Sequence, residues 1–250
     1  AELTRYRAMT EAGSPGPMGD TRPLTRTHLM PYADITLYTA ATMNGWKPLV
    51  FLEEADIAYN LVSIDFSART QKTPDFLALN PNGKIPVLVD HGHDDFAVFE
   101  SGAILWYLAE TYGKFVPDDP KSRSETLQWL MLQMGGIGPM MGQAMFFRRF
   151  APHQDPASDA ALERFTVESR RLFEVLDTRL TRRDWLAGDA YSIADMAMFP
   201  WVRCHSWAGV SIKGLDALAD WVTRIDARPA VQRALQLPVP APRFLAEYDL

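Results

Sequence analysis

The stretch Asn82-Gly83-Lys84-Ile85-Pro86-Val87-Leu88 decides how the rest of the chain is read. An Asn-Gly turn is followed by one basic residue, an Ile-Pro pair and a short apolar run. Proline has no N–H to give to a sheet ladder, so Pro86 belongs at the start of a strand or beside it. A cis bond between Ile85 and Pro86 would reverse the chain and leave the N–H and C=O of Ile85 open to an extended peptide, as an added strand is. A small peptide ligand is the first expectation. An ordinary turn ahead of a buried strand is the plain alternative.

On the N-terminal side of this stretch, residues 35–38 read as a strand and residues 39–45 as a turn. A helix is predicted over about 46–58, where Leu49, Val50, Ala55 and Ile57 mix with Glu53, Glu54 and Asp56 in an amphipathic pattern. Residues 59–65 suit a second strand, and a strand-helix-strand unit of this length joins parallel strands. Pro74 is placed to start a short helix through Leu79. On the other side, residues 87–89 and 96–99 flank the polar turn His91-Gly92-His93-Asp94-Asp95 and read as a hairpin. Glu100-Ser101-Gly102 then opens a helix, with Ser101 a natural N-cap. Strand-helix-strand followed by strand-strand-helix is the thioredoxin-like order.

Residues 113–120 form a linker containing Pro and Asp, and beyond it the strand signals vanish. Helical patterns run over about 123–134, 139–150, 160–180, 193–207 and 215–227. Ser192-Ile193-Ala194-Asp195 is a capping box ahead of an apolar run, so it reads as a folding element. Residues 1–31, with Gly13, Pro15, Gly16, Pro17, Gly19 and Pro23, read as an extended arm. The expected organisation is this arm over 1–31, an α/β thioredoxin-like N-terminal domain over 32–115 and an all-α C-terminal domain over 121–250.

Composition narrows the class. The chain has 250 residues, of which 47% are apolar and 22% charged, and a net charge of −6. There is no basic stripe, which argues against nucleic acid as a partner. No apolar run is long enough to span a membrane, and the N-terminus lacks the apolar core of a signal peptide. The single cysteine, Cys204, excludes an internal disulfide framework and a Cys-x-x-Cys redox pair. A reducing, cytoplasmic location is expected. Cys204 reads as a packing residue. His91 and His93 form too small a group to argue for a metal over a solvated turn.

These features in this order resemble the cytosolic glutathione transferases over about residues 34–236. The first turn, Thr42-Met43-Asn44-Gly45-Trp46-Lys47, looks like the Nu class, also called the disulfide-bond oxidoreductase branch. So do Leu127-Gln128-Trp129-Leu130, Gly135-Gly136-Ile137-Gly138-Pro139-Met140 and Gly142-Gln143. Fungal nitrogen-regulator relatives share the pattern. The resemblance implies the glutathione transferase fold, a homodimer and glutathione, reduced or as the disulfide, as co-substrate.

It also implies roles for residues. Thr42 and Asn44 would face the glutathione sulfur at a helix start, where the dipole favours a thiolate; a capping role is the alternative for each. Ile85 would pair its backbone with the cysteinyl part. Glu100 would take the γ-glutamyl ammonium, and Ser101 with its N–H the carboxylate. Gln71 and Lys84 would hold the glycyl end, and Arg164 would reach the pocket from the helical half, an exposed helix arginine being the alternative. Met131, Met134, Met140, Met141 and Met145 read mostly as core, with Phe146, Phe147, Arg148, Arg149 and Phe150 at a second-substrate wall or dimer contact. With no cysteine in the first turn, thiol-disulfide exchange must run between bound glutathione and the substrate. The leading expectation is a glutathione-dependent disulfide reductase with some hydroperoxide reduction. Conjugation or ether cleavage of an electrophile, and a non-catalytic glutathione-binding regulator, are the alternatives.

Overall fold

The computed structural model describes residues 33–151 and 156–238. The expected arm over 1–31 lies outside them. Strand β1 (Ile35–Thr39) pairs in parallel with β2 (Asn60–Ser63), with Leu37 opposite Leu61, across helix α1 (Met43–Ala55). After α2 (Pro74–Leu79), β3 (Val87–Asp90) runs antiparallel to β1 and β4 (Phe96–Phe99) antiparallel to β3. The sheet order is β2-β1-β3-β4, and α3 (Ser101–Tyr112) completes the thioredoxin-like half. The Ile85-Pro86 bond is cis. The β1–β3 register begins at Val87, so Ile85 stands outside the ladder.

Helix α1 begins three residues before the periodicity predicts. Thr42 is extended and its hydroxyl accepts the Gly45 N–H at 3.1 Å, so the cap draws the first turn back to Met43. Gly45 has no substitute here, because a Cβ would lie 2.0 Å from the Ala40 carbonyl oxygen. Nor is α1 amphipathic. Trp46, Leu49, Val50, Phe51 and Leu52 are wholly buried, because α3 and the helical half both pack against the helix. Its acids turn inward as well. Glu54 takes Arg228 in a two-pronged pair at 2.6 and 2.8 Å, and Glu53 accepts from Tyr59 and Arg233.

Both arginines flank or belong to α9 (Pro229–Leu235), a helix that the sequence pattern did not announce. The rest of the helical half is α4 (Pro120–Leu132), α5 (Gly138–Arg149), α6 (Pro156–Leu180), α7 (Ile193–Arg203) and α8 (Asp216–Asp226). Helices α4 and α5 were expected to be separate. They join through a single π turn, Gln133–Ile137, which holds Gly135 and Gly136. Helix α7 stops at Arg203 rather than Trp207, and the chain tightens into a 3-10 turn over His205–Ala208. Its start carries the expected capping box in full: Ser192 and Asp195 bond to each other's segments, and both are buried.

Candidate functional site

The turn after α2 is built around Asn80, a residue the sequence reading passed over. It is buried, its amide donates to the Lys84 carbonyl at 2.7 Å, and its Oδ1 accepts the Asn82 N–H at 3.0 Å. Gly83 follows at φ 61° and donates its N–H to the Asn80 carbonyl. This fixes the entry into Lys84, Ile85 and Pro86, which form one wall of a cavity of about 150 Å³. Glu100 and Ser101 form the facing wall, and Asn44 reaches it from α1.

The α3 wall corrects one expectation. Ser101 is not the N-cap; Glu100 is, at φ 70°, with no side-chain capping bond. A non-glycine residue at positive φ is a strained conformation that sites tend to keep. Ser101 becomes the first helical residue because its hydroxyl is occupied elsewhere: it accepts from the Lys47 amine at 3.1 Å. Lys47 also donates to Gln133 Oε1 at 2.6 Å and lies 3.6 Å from Met134 Sδ. It is wholly buried, and burial drops its pKa to about 7 even though Glu100 pulls it upward.

On α1, Thr42 caps the helix and is half-buried. A hydroxyl that accepts one bond keeps its own O–H to donate. Asn44 accepts the indole N–H of Trp201, from α7, at 2.9 Å on Oδ1. An indole nitrogen only donates, so the amide oxygen must face it and the NH₂ must face away. The cavity is therefore offered a donor at Asn44, an ammonium at Lys84, a carboxylate at Glu100 and a helix start at Ser101.

The structure thus gathers Asn44, Lys84, Ile85, Glu100 and Ser101. Thr42 stands two residues from the lining. Gln71 lies in the 3-10 turn Thr70–Lys72, with its Oε1 buried and unpartnered among the described residues. Arg164 is exposed on α6, close enough to help hold the Glu168 carboxyl low, after the closer Arg171. Neither Gln71 nor Arg164 lines the cavity. Tyr38 packs edge-on against Phe76, as a sheet residue does.

The remaining chemistry-bearing residues are held elsewhere. His91 bonds Thr36 and Asp95, and His93 bonds Asp90. Cys204 is buried just past α7, and burial pushes its thiol up to about 12. A larger, open basin of about 310 Å³ beside Arg182, Arg183 and Arg224 shares no residue with the site. Among the described residues, no helix is long and apolar enough to cross a membrane.

Residues 33–110 match the family model "Glutathione S-transferase, N-terminal domain", and residues 138–229 match "Glutathione S-transferase, C-terminal domain". The chain belongs to the glutathione S-transferase family. Among its relatives is the disulfide-bond oxidoreductase YfcG of Escherichia coli (strain K12), 45% identical over 205 residues, 80% of this chain and 94% of that one. A glutathione transferase from Pseudomonas putida, solved with one glutathione disulfide bound per subunit, superimposes with a TM-score of 0.77. It is 40% identical, over 82% of this chain and 92% of its own. A glutathione transferase from Burkholderia graminis, solved with two glutathione molecules bound per subunit, gives 0.77 at 42% identity, over 82% and 89%. In this transferase fold, the cavity sits where the first turn of α1, the Ile85-Pro86 turn and the start of α3 converge.

Proposed function

We propose that this transferase is an enzyme of the disulfide-bond oxidoreductase branch, the Nu class, and reduces disulfides with glutathione. The observation that carries the reading is the first turn of α1. It presents the Asn44 amide to a cavity that Ile85, Glu100 and Ser101 also line, and it contains no thiol. A free thiol of ordinary pKa is mostly protonated at neutral pH. Donors at a helix start favour its anion, so Asn44 and the Thr42 hydroxyl stabilise the thiolate of a bound glutathione.

Glu100 holds the γ-glutamyl ammonium, and Ser101 with the start of α3 holds its carboxylate. Ile85 pairs with the cysteinyl backbone. Lys84 and Gln71 serve the glycyl end, and Arg164 approaches from α6. The thiolate attacks one sulfur of the substrate disulfide, and the other sulfur leaves as a thiol after taking up a proton. A second glutathione thiolate then attacks the glutathione sulfur of the mixed disulfide. Glutathione disulfide forms, and the second substrate thiol is released. Two glutathiones are consumed for each disulfide reduced, which fits two molecules held close together in one subunit. The neighbours solved with glutathione disulfide and with two glutathiones support this order. Such chemistry belongs in a reducing, cytoplasmic compartment. The exposed Phe146 and Phe150 supply apolar surface for a second substrate or for a homodimer contact.

The test is turnover of a small disulfide with glutathione against conjugation of an aryl halide, in the wild type and in Thr42→Ala. Strong disulfide reduction, weak conjugation and a loss in the variant are expected. Strong conjugation with little disulfide turnover would move the chain to a general transferase. Glutathione binding with neither reaction would make it a binding protein.

A further inference from the structure

The proposed chemistry has no use for Lys47, which lies behind the cavity against Ser101. Its surroundings are those of an ammonium ion. Three acceptors surround Nζ: Gln133 Oε1 at 2.6 Å, Ser101 Oγ at 3.1 Å and Met134 Sδ at 3.6 Å. An ammonium has three N–H groups to give and a neutral amine two. Yet among the described residues no carboxylate hydrogen-bonds Lys47. A wholly buried cation without a hydrogen-bonded counter-ion is costly unless an anion arrives.

The charges on the neighbouring elements do not supply that anion. Glu100 of α3 acts on Lys47 from a distance but is exposed at the rim, where the proposed function gives it to the ligand's ammonium. On α9 and its cap, Arg228 and Arg233 pair with Glu54 and Glu53. On α7, Asp195 is enclosed in its capping box and Arg203 pairs with Asp226. The π turn contributes Gln133 and Met134, which are uncharged. The remaining direction is through Ser101. Its oxygen accepts from Lys47, and its own O–H is directed at Met134 Sδ, 3.8 Å away and a weak acceptor. A carboxylate in the cavity is a better one.

We propose that Lys47 is the buried counter-charge of the ligand's γ-glutamyl α-carboxylate and acts on it through the Ser101 hydroxyl as a positioning residue. This rests on the glutathione-binding reading above. Its consequence is proton uptake on binding. In the free protein, burial holds the amine near half-protonation at about pH 7. An incoming carboxylate favours the charged form and raises that pKa. Between the free and bound values, binding takes a proton from solvent, and affinity falls as pH rises through that window.

The test is calorimetric titration of the whole protein with S-methylglutathione, which has no thiol proton to release. Phosphate and Tris buffers, which differ in ionisation enthalpy, count the protons. The second ligand is the same molecule with its γ-glutamyl α-carboxylate converted to the amide. Wild type should take up about half a proton at about pH 7 and approach one near pH 8 with the acid. At about pH 7, where the amide's own ammonium is still largely charged, it should take up far less with the amide. Lys47→Met should abolish the uptake and weaken the acid about tenfold. If that variant fails to fold, the two ligands on wild type still decide. Tight binding of the acid without uptake, or equal uptake with the amide, would overturn the role of Lys47 and leave the proposed function standing. No binding of S-methylglutathione by wild type would overturn both.

Discussion

Helices α3 and α7 start in opposite ways. The start of α7 closes on itself. Asp195 accepts from the Ser192 N–H and hydroxyl, from the Leu186 N–H at 3.0 Å and from the Trp221 indole at 2.9 Å. Ser192 in turn receives the Ala194 N–H. The start of α3 has no side-chain cap, holds Glu100 at φ 70° and faces a cavity. Both have a serine and an acid within four residues, so residue type alone does not separate them. The difference is where the donors point. A helix that satisfies its own first turn is part of the scaffold. One that leaves its first turn open beside a cavity leaves it for a ligand.

The largest effect that could break this contrast is at Asp195. Asp195→Ala orphans several buried donors at once and should cost about 4 kcal/mol, read as a lower denaturant midpoint. The protein that remains folded should still bind glutathione. At Glu100 the two readouts should exchange places. Glu100→Gln should leave the midpoint nearly unmoved and weaken glutathione by about 2 kcal/mol, the scale of one charge-assisted bond. A smaller effect is expected from Trp201→Phe, which keeps the packing but removes the donor that orients the Asn44 amide. It should cost about 1 kcal/mol in kcat/KM toward a disulfide, with little change in Tm. An unchanged kcat/KM would mean that the amide needs no such orientation.

A further effect is in pH. Burial raises Asp195 to about 6, because the four donors do not outweigh its desolvation. The folded state then binds more protons than the unfolded state between the ordinary aspartate value and about 6. Stability contributed by this group is full below that window and lost as pH rises through it. Denaturant titrations across the window should show this slope in the wild type and not in Asp195→Asn.

The alternating half of the fold was legible because its signals are local. Pro86 marks the head of β3 and the polar turn separates β3 from β4; in the helical half the capping box is equally local, within four residues. Helix α9 escaped because it is seven residues long and has no periodicity to display. The α4–α5 junction escaped because the helical pattern stops at 134 and resumes at 139, whereas the π turn Gln133–Ile137 carries the helix across. At the site, Asn44, Lys84, Ile85, Glu100 and Ser101 could be named in advance from the family resemblance. Lys47, Gln133 and Trp201 could not, since their partners lie 54, 86 and 157 residues away. One signal for Lys47 was present. A lysine directly after Trp46, in a helix apolar on every side, has no solvent face to occupy.

The most direct experiment is disulfide turnover by Cys204→Ala, with glutathione as the only thiol in solution. Cys204 is buried and is replaced by a residue of similar packing, so the fold should survive. Turnover equal to the wild type is expected, because bound glutathione supplies the attacking thiolate. A folded variant that binds glutathione normally but no longer reduces the disulfide would contradict this and put a protein thiol in the reaction.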